Sequence, residues 1–205
     1  MTLGDNRTRN PRGEGERLRG EIVEAAAALI AEKGQEAVSL RAIARRVGIT
    51  APAIYAHFAD LDQVLEAVVD STYDDLAEYL RRGARGRTES ADRLRALCRA
   101  YVAFGREHPQ EYAILFSRPV RLELTGAVKA IDNMQGGEAF SILLDAVRDC
   151  AAVGASRSTQ PIEDATAVWV ALHGFVGLRS AIPDFPWPPA DALLDALVDR
   201  LALLT

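Results

Sequence analysis

Residues that crosslink, ligate metals or carry catalysis are scarce in this chain, which has two cysteines, three histidines and an aromatic share of only 6% in 205 residues. Cys98 and Cys150 read as buried thiols, because a chain of this length can rest its fold on apolar burial without disulfides. The opening Thr2, Gly4, Asp5, Asn6 and Arg7 stands where a secretory leader would carry its apolar core, so a reducing, cytoplasmic compartment is expected. Arg, Asp, Glu or Gly interrupts every long apolar stretch before the roughly 18 residues that a membrane span needs, which excludes a membrane-spanning helix. The histidines lie far apart in sequence, and neither a Gly-rich phosphate loop nor Cys/His metal spacing occurs. No catalytic residue, metal site or cofactor is therefore expected. Strict apolar alternation nowhere persists over a strand length and no internal repeat is found, which leaves an all-α fold.

What is present has an ordinary globular balance, 49% hydrophobic and 26% charged, enough for one or two domains. Residues 1–15, rich in Arg, Asn and Gly, are expected to form a flexible basic arm. From Glu16 the apolar residues Ile22, Val23, Ala26, Leu29 and Ile30 recur at helical steps as far as Gly34, where a left-handed cap would suit. Ser39 caps a second, two-turn helix closed by Gly48, and Thr50 caps a third, Ala51 to His57, with Pro52 in its first turn. Asp60 opens a long fourth helix that fades into the Arg81–Arg87 run, read as a solvated linker. A fifth helix, about Ser90 to Glu107, ends at His108-Pro109, and a short one follows through Tyr112, Leu115 and Phe116. Gly136-Gly137 precedes three further helical stretches, roughly 138–153, 161–182 and 189–204, giving about nine helices.

Charge is segregated along this order. The net charge is −5, yet residues 1–58 hold nine Lys/Arg against seven Asp/Glu, +2, which leaves −7 for the rest. Residues 37–58 carry Arg41, Arg45 and Arg46 and no acid, so a short positive region sits on an acidic body, as in a chain with one face for a polyanion. That region holds two short helices joined at Gly48, with Ala44 small at their crossing and Ile43, Val47, Ile49 and Ile54 as shared core. This is a helix-turn-helix pattern, whose second helix enters a DNA major groove.

With "Tyr55-Ala56-His57-Phe58" and "Asp60-Leu61-Asp62-Gln63-Val64-Leu65" following, the stretch Ser39 to Leu65 resembles the DNA-binding domain of the TetR family of transcriptional regulators. The resemblance implies a recognition helix over Thr50 to Phe58, with Thr50, Tyr55 and His57 at positions that touch DNA and Phe58 in the core. Leu61 stands where the family often has lysine. The resemblance also makes Ala51, Pro52 and Ala53 base-facing; they lack hydrogen-bonding side chains, so readout there would rest on thymine methyls and DNA shape. Arg41, Arg45 and Arg46 are candidates for phosphate neutralisation, with an ordinary solvated face as the other reading; the lack of any nearby acid favours phosphate. Tyr55 packing on the first helix and a plain surface His57 also stay open. Arg7, Arg9 and Arg12 would follow the minor groove or form a disordered tail.

Farther on, "Ala167-Val168-Trp169-Val170-Ala171-Leu172-His173-Gly174-Phe175" resembles the Trp and His-Gly signature of one class of TetR-type ligand domains, and Tyr101 to Phe116 resembles its earlier part. The organisation so implied is an arm over 1–15, a DNA-binding domain over 16–60 and a ligand-binding and dimerisation domain over 61–205. Tyr101, Phe104, Tyr112, Phe116, Met134, Phe140, Trp169 and His173 are candidates to line a cavity for a hydrophobic or amphipathic small molecule, or else are plain core. Ile162, Ala165, Trp169, Leu172 and Val176 share one helix face, which Gly174 and Gly177 thin for a neighbouring helix. With Leu193, Leu197 and Leu201 of the last helix, Trp169 and Val176 are the candidate dimer interface, the alternative being intrachain core. A homodimer would hold two recognition helices about 34 Å apart on a palindromic operator in double-stranded DNA. The expectation is a ligand-responsive regulator, a repressor released by its effector; the alternative is an architectural DNA-binding or protein-interaction module with no effector.

Overall fold

A computed structural model describes residues 14–116 and 134–205, so Arg7, Arg9 and Arg12 of the arm lie outside the described residues. The described residues form nine α-helices and no β-strand. The chain divides into two compact units, Met1–Val68 and Val69–Thr205.

In the first unit α1 spans Glu14–Lys33, two residues earlier at its start than periodicity suggests, and acidic Glu14 and Glu16 suit the positive end of the helix. Gly34 follows with φ 78° but ψ 166°, an extended glycine conformation rather than the expected left-handed cap, and leads into a single 3-10 turn, Gln35–Ala37. Helix α2 (Leu40–Val47) is capped as its sequence requires: the Ser39 hydroxyl accepts the Ala42 N–H at 3.2 Å. At its end Gly48 is left-handed, and the amides of Gly48 and Ile49 both return to the Ala44 carbonyl at 2.9 Å. Helix α3 covers only Ala51–Ile54, shorter than the expected Ala51–His57. Beyond Ile54 the backbone closes by tight bonds from Tyr55 to Pro52 and from His57 to Ile54, a turn that drives Phe58 inward. Ile22, Ile30, Ile43, Ile54, Phe58 and Val64 form the core of this unit, while Val47 and Ile49 are only half-buried. Arg19 lies over the Phe58 ring at 4.7 Å.

Helix α4 spans Leu61–Ala84, and the division between the units falls within it. Its start is locked by Asp60, whose carboxylate accepts the Gln63 N–H at 2.8 Å, while Gln63 Oε1 accepts the Ala59 N–H at 2.9 Å. The Arg81–Arg87 run is not wholly a linker, because α4 continues through Gly83 to Ala84. A Cβ at Gly83 would stand 2.5 Å from that of Ala100, so this glycine is where α4 and α5 cross closely. The second unit then stacks α5 (Ser90–Glu107), α6 (Pro109–Leu115), α7 (Gly137–Ala152), α8 (Pro161–Ala181) and α9 (Ala190–Leu201). Helix α5 is central and packs against α6, α7, α8 and α9. Cys98 and Cys150 are buried free thiols in this core, and burial pushes both up, away from the reactive thiolate.

Candidate DNA-binding surface and ligand cavity

The first candidate site lies on α2, the Gly48 turn, α3 and the turn that follows it. Arg41 and Arg45, one turn apart on α2, are exposed and make no ion pair among the described residues. Arg46 is different: its guanidinium grips both oxygens of Glu32 on α1, at 2.7 and 2.9 Å. That hydrogen bond holds the Glu32 carboxyl below its usual range and raises Arg46. The absence of a compensating acid was true of the neighbouring sequence only; α1 brings one across. Thr50 stands at the N-cap position of α3, yet its hydroxyl makes no capping bond and stays exposed. Pro52 is exposed, Ala51 and Ala53 are half-buried, and Tyr55 is 59% exposed. His57 is half-buried near the start of α1, with its Cε1 3.8 Å from where a Cβ on Gly15 would lie. The surface is thus a patch with two unpaired guanidiniums, a free hydroxyl, a phenol and an imidazole around small apolar residues. Such groups can meet phosphate oxygens while the small side chains admit the groove floor.

The second candidate site is a cavity of about 290 Å³ in the second unit, lined from α4, α5, α7 and α8. Of the expected residues, Tyr101, Phe116, Met134, Phe140 and Trp169 line it. Phe104, Tyr112 and His173 do not. Phe104 packs instead against Tyr79 and His108, with ring centroids at 5.6 and 5.0 Å, because its position on α5 faces α4 and the His108 corner. Tyr112 and His173 stand behind the wall: the Tyr112 hydroxyl lies 2.8 Å from His173 Nδ1 and 3.3 Å from the Tyr101 hydroxyl. Burial raises Tyr112 strongly and lowers His173, which keeps the proton on the phenol and favours the neutral imidazole. The Tyr101 and Tyr112 hydroxyls share a hydrogen bond, and burial pushes the Tyr101 phenol up to about 12.

Tyr73, Leu76, Leu80, Leu97, Gln135, Gly136, Ala139, Leu143 and Leu172 complete the lining and were not singled out from sequence. On α4 and α7 such residues read as an ordinary apolar stripe, and nothing in their spacing separates a cavity wall from a packed core. Gly136 has φ 78°, and a Cβ there would fall 2.4 Å from the Tyr73 ring, so only glycine lets that ring close this part of the wall. Tyr73 donates to the Leu115 carbonyl at 3.3 Å and Gln135 to Asp70 at 2.7 Å. Among the described residues, no Lys, Arg, Asp or Glu lines the cavity.

The expected dimer residues divide. Val176 is buried against Gly105, where a Cβ would come within 2.5 Å of it, so it serves the α5–α8 contact of its own chain. Ala165 and Leu172 are likewise buried, and Trp169 meets Phe140 edge-on at the cavity. Leu197 and Leu201 are half-buried in the α8–α9 contact with Val168 and Leu172, and Leu193 is half-buried. The face that α8 leaves open is the opposite one: Val170 is 60% and Leu178 51% exposed, and a Cβ at Gly174 or Gly177 would meet nothing within 4 Å.

Two family models match. One described as "Bacterial regulatory proteins, tetR family" covers residues 22–68, and one described as "Tetracyclin repressor-like, C-terminal domain" covers residues 94–201, more than half of the chain. The chain belongs to the TetR family, DNA-binding transcriptional regulators rather than enzymes. It is 32% identical over 113 residues to the HTH-type transcriptional activator FasR of Mycolicibacterium smegmatis, a match covering 55% of this chain and 51% of that protein. The chain spans about half the length of the curated relatives it matches at that identity. Among solved structures, a protein of unknown function from Rhodococcus sp. RHA1 superposes with a TM-score of 0.73 at 23% identity, over 95% of this chain and 97% of that one. RolR in complex with resorcinol superposes with a TM-score of 0.68 at 17% identity, over 94% and 90%. These likenesses establish a shared fold. Among the described residues no helix is long and apolar enough to cross a membrane.

Proposed function

We propose that the chain is a ligand-responsive repressor that binds a palindromic operator as a homodimer and leaves it when a small, uncharged, hydrophobic or amphipathic effector enters the cavity of the second unit. The observation that carries this reading is the cavity itself, about 290 Å³ of space bounded by aromatic and aliphatic side chains, with phenol and amide groups but, among the described residues, no ionised one. An ionised effector would lose its hydration there with no countercharge from the described lining, whereas a neutral one gains apolar burial and a hydrogen bond to a phenol such as Tyr101. For the operator, Arg41 and Arg45 contact phosphate, Thr50, Tyr55 and His57 fix the docking of α3, and Ala51, Pro52 and Ala53 face the bases. The open stripe Val170, Gly174, Gly177 and Leu178 is the centre of the dimer contact, with Leu193 and Leu197 at its side.

Selection of bound duplexes from a random pool at fixed salt, with stoichiometry read by native mass, tests the first half. A palindrome bound by two chains is the expected result; only steeply salt-dependent, sequence-independent binding would sink it in favour of an architectural role. The selected operator then serves a screen of neutral small molecules for release of DNA. Absence of release by any compound that binds the cavity would remove the effector from the reading.

A further inference from the structure

A groove of about 610 Å³ crosses the second unit between α5, α8 and α9, and no residue of its lining belongs to the cavity described above. Its floor is apolar, with Val102 of α5, Phe175 and Val176 of α8 and Leu194 of α9. Its rim carries three guanidiniums, Arg99, Arg106 and Arg179, against one lining carboxylate, Asp191. The three are not equally committed. Arg99 is spent, because one of its nitrogens reaches both oxygens of Asp195, at 2.6 and 2.7 Å. Arg106 lies 2.9 Å from the neighbouring Glu107, whose other oxygen also takes the Tyr79 hydroxyl at 2.5 Å, and its side chain remains 75% exposed.

Arg179 is held but not neutralised. Its guanidinium stands 5.3 Å from both the Phe175 and the Trp187 ring centroids, and its Nη1 donates to the Pro188 carbonyl at 3.4 Å. No carboxylate reaches it among the described residues. The two rings restrict a side chain that is otherwise costly to order, and they turn its planar fork of donors toward a groove with an apolar floor. A guanidinium so placed recognises a planar anion through paired hydrogen bonds, and the floor beneath has room for a short hydrocarbon body.

We propose that this groove is a second ligand site, for a carboxylate amphiphile whose head lies on Arg179 beside Arg106 and whose apolar tail covers Val102, Phe175, Val176 and Leu194. The two sites therefore discriminate by charge: the cavity takes neutral molecules, and the groove takes anions. The two tryptophans of the chain report on them separately, since Trp169 lines the cavity and Trp187 packs on Arg179.

The experiment titrates the full chain with octanoate, below its micelle concentration, and with octanol as the uncharged control. In a Trp169→Phe background the emission of Trp187 is expected to change saturably with octanoate, and octanol is expected to bind roughly tenfold more weakly. Arg179→Gln should raise the octanoate Kd by roughly tenfold, and Arg106→Gln, which leaves both rings in place, by a smaller factor. Equal response to octanol and octanoate, or an unchanged Kd in both arginine variants, would overturn the proposal. In a Trp187→Phe background Trp169 reports the cavity alone. Octanoate that moves only this signal would refute the groove site and show that the cavity accepts an anion, whereas silence there with a response at Trp187 leaves the two readings standing independently. A Trp187 signal that follows protein concentration, with a matching rise in mass, would assign the groove to a second copy of the chain and overturn the small-molecule site.

Discussion

Arg45 and Arg46 are adjacent in sequence, yet the structure gives them different electrostatic roles. If this face meets DNA as proposed, Arg45 is free to release a counterion, while Arg46 must first give up two hydrogen bonds to Glu32. In a plot of log affinity against log salt, Arg45→Gln should reduce the slope by about one, and Arg46→Gln by clearly less. Glu32→Gln should restore Arg46 and steepen the slope; three equal slopes would show that the Glu32 pair opens without cost on DNA. His173 supports a prediction of another kind. Its ring is neutral in the fold and its pKa is lowered by burial, so below the unfolded value near 6.5 the unfolded chain binds a proton that the folded one refuses. Stability is therefore full above that value and falls as pH drops below it, before most carboxylates titrate. Thermal melts between pH 7.5 and 5.5 should show this decline, and His173→Asn, whose amide can still hydrogen-bond Tyr112 in either direction, should flatten it. An identical decline in the variant would assign the effect elsewhere.

Among elements, the helices whose ends are written in capping chemistry were the most legible. Ser39 and Gly48 bound α2 as their side chains require, and Asp60 with Gln63 starts α4. Where a tertiary contact decides, local sequence could not. Gly83 looks like the start of a linker, but Ala100 holds it in α4; Arg46 looks unpaired, but Glu32 arrives from another helix. The same holds on α8, where every third or fourth residue is apolar all round, so periodicity could not separate the core face from the open one. The structure separates them: Val176 is turned toward Gly105 and Val170 toward solvent. If the open face is the dimer contact, Val170→Asp should raise the dimer dissociation constant at least a hundredfold by burying an unpaired charge, as read by sedimentation equilibrium. Val153→Asp, on an equally exposed apolar residue at the end of α7, is the matched control and should leave the mass unchanged. Dissociation by both, or by neither, would remove α8 from the interface.

For the whole molecule, the proposed control of a surface in one unit by a cavity in the other is constrained by thermodynamic linkage without a pathway. An effector lowers DNA affinity only by the ratio of its affinities for the free and the DNA-bound protein, and DNA lowers effector affinity by that same ratio. Filling the cavity from within should therefore abolish the response without touching the DNA surface. Ala139, buried on α7 and facing the cavity, is suited to this. Ala139→Phe places a ring in a space of about 290 Å³ whose lining it already joins, so it should weaken a cavity-binding effector by tenfold or more. Two outcomes for its operator affinity carry different meanings. Affinity equal to the parent, with release by effector lost, would show that occupancy acts only through the effector's differential contacts. Affinity already reduced without effector would show that the added ring itself mimics the ligand, so that the filled cavity alone favours the arrangement that leaves DNA. Unchanged operator affinity together with undiminished release would place the effector outside this cavity, and the groove beside Arg179 would then be where to look for it.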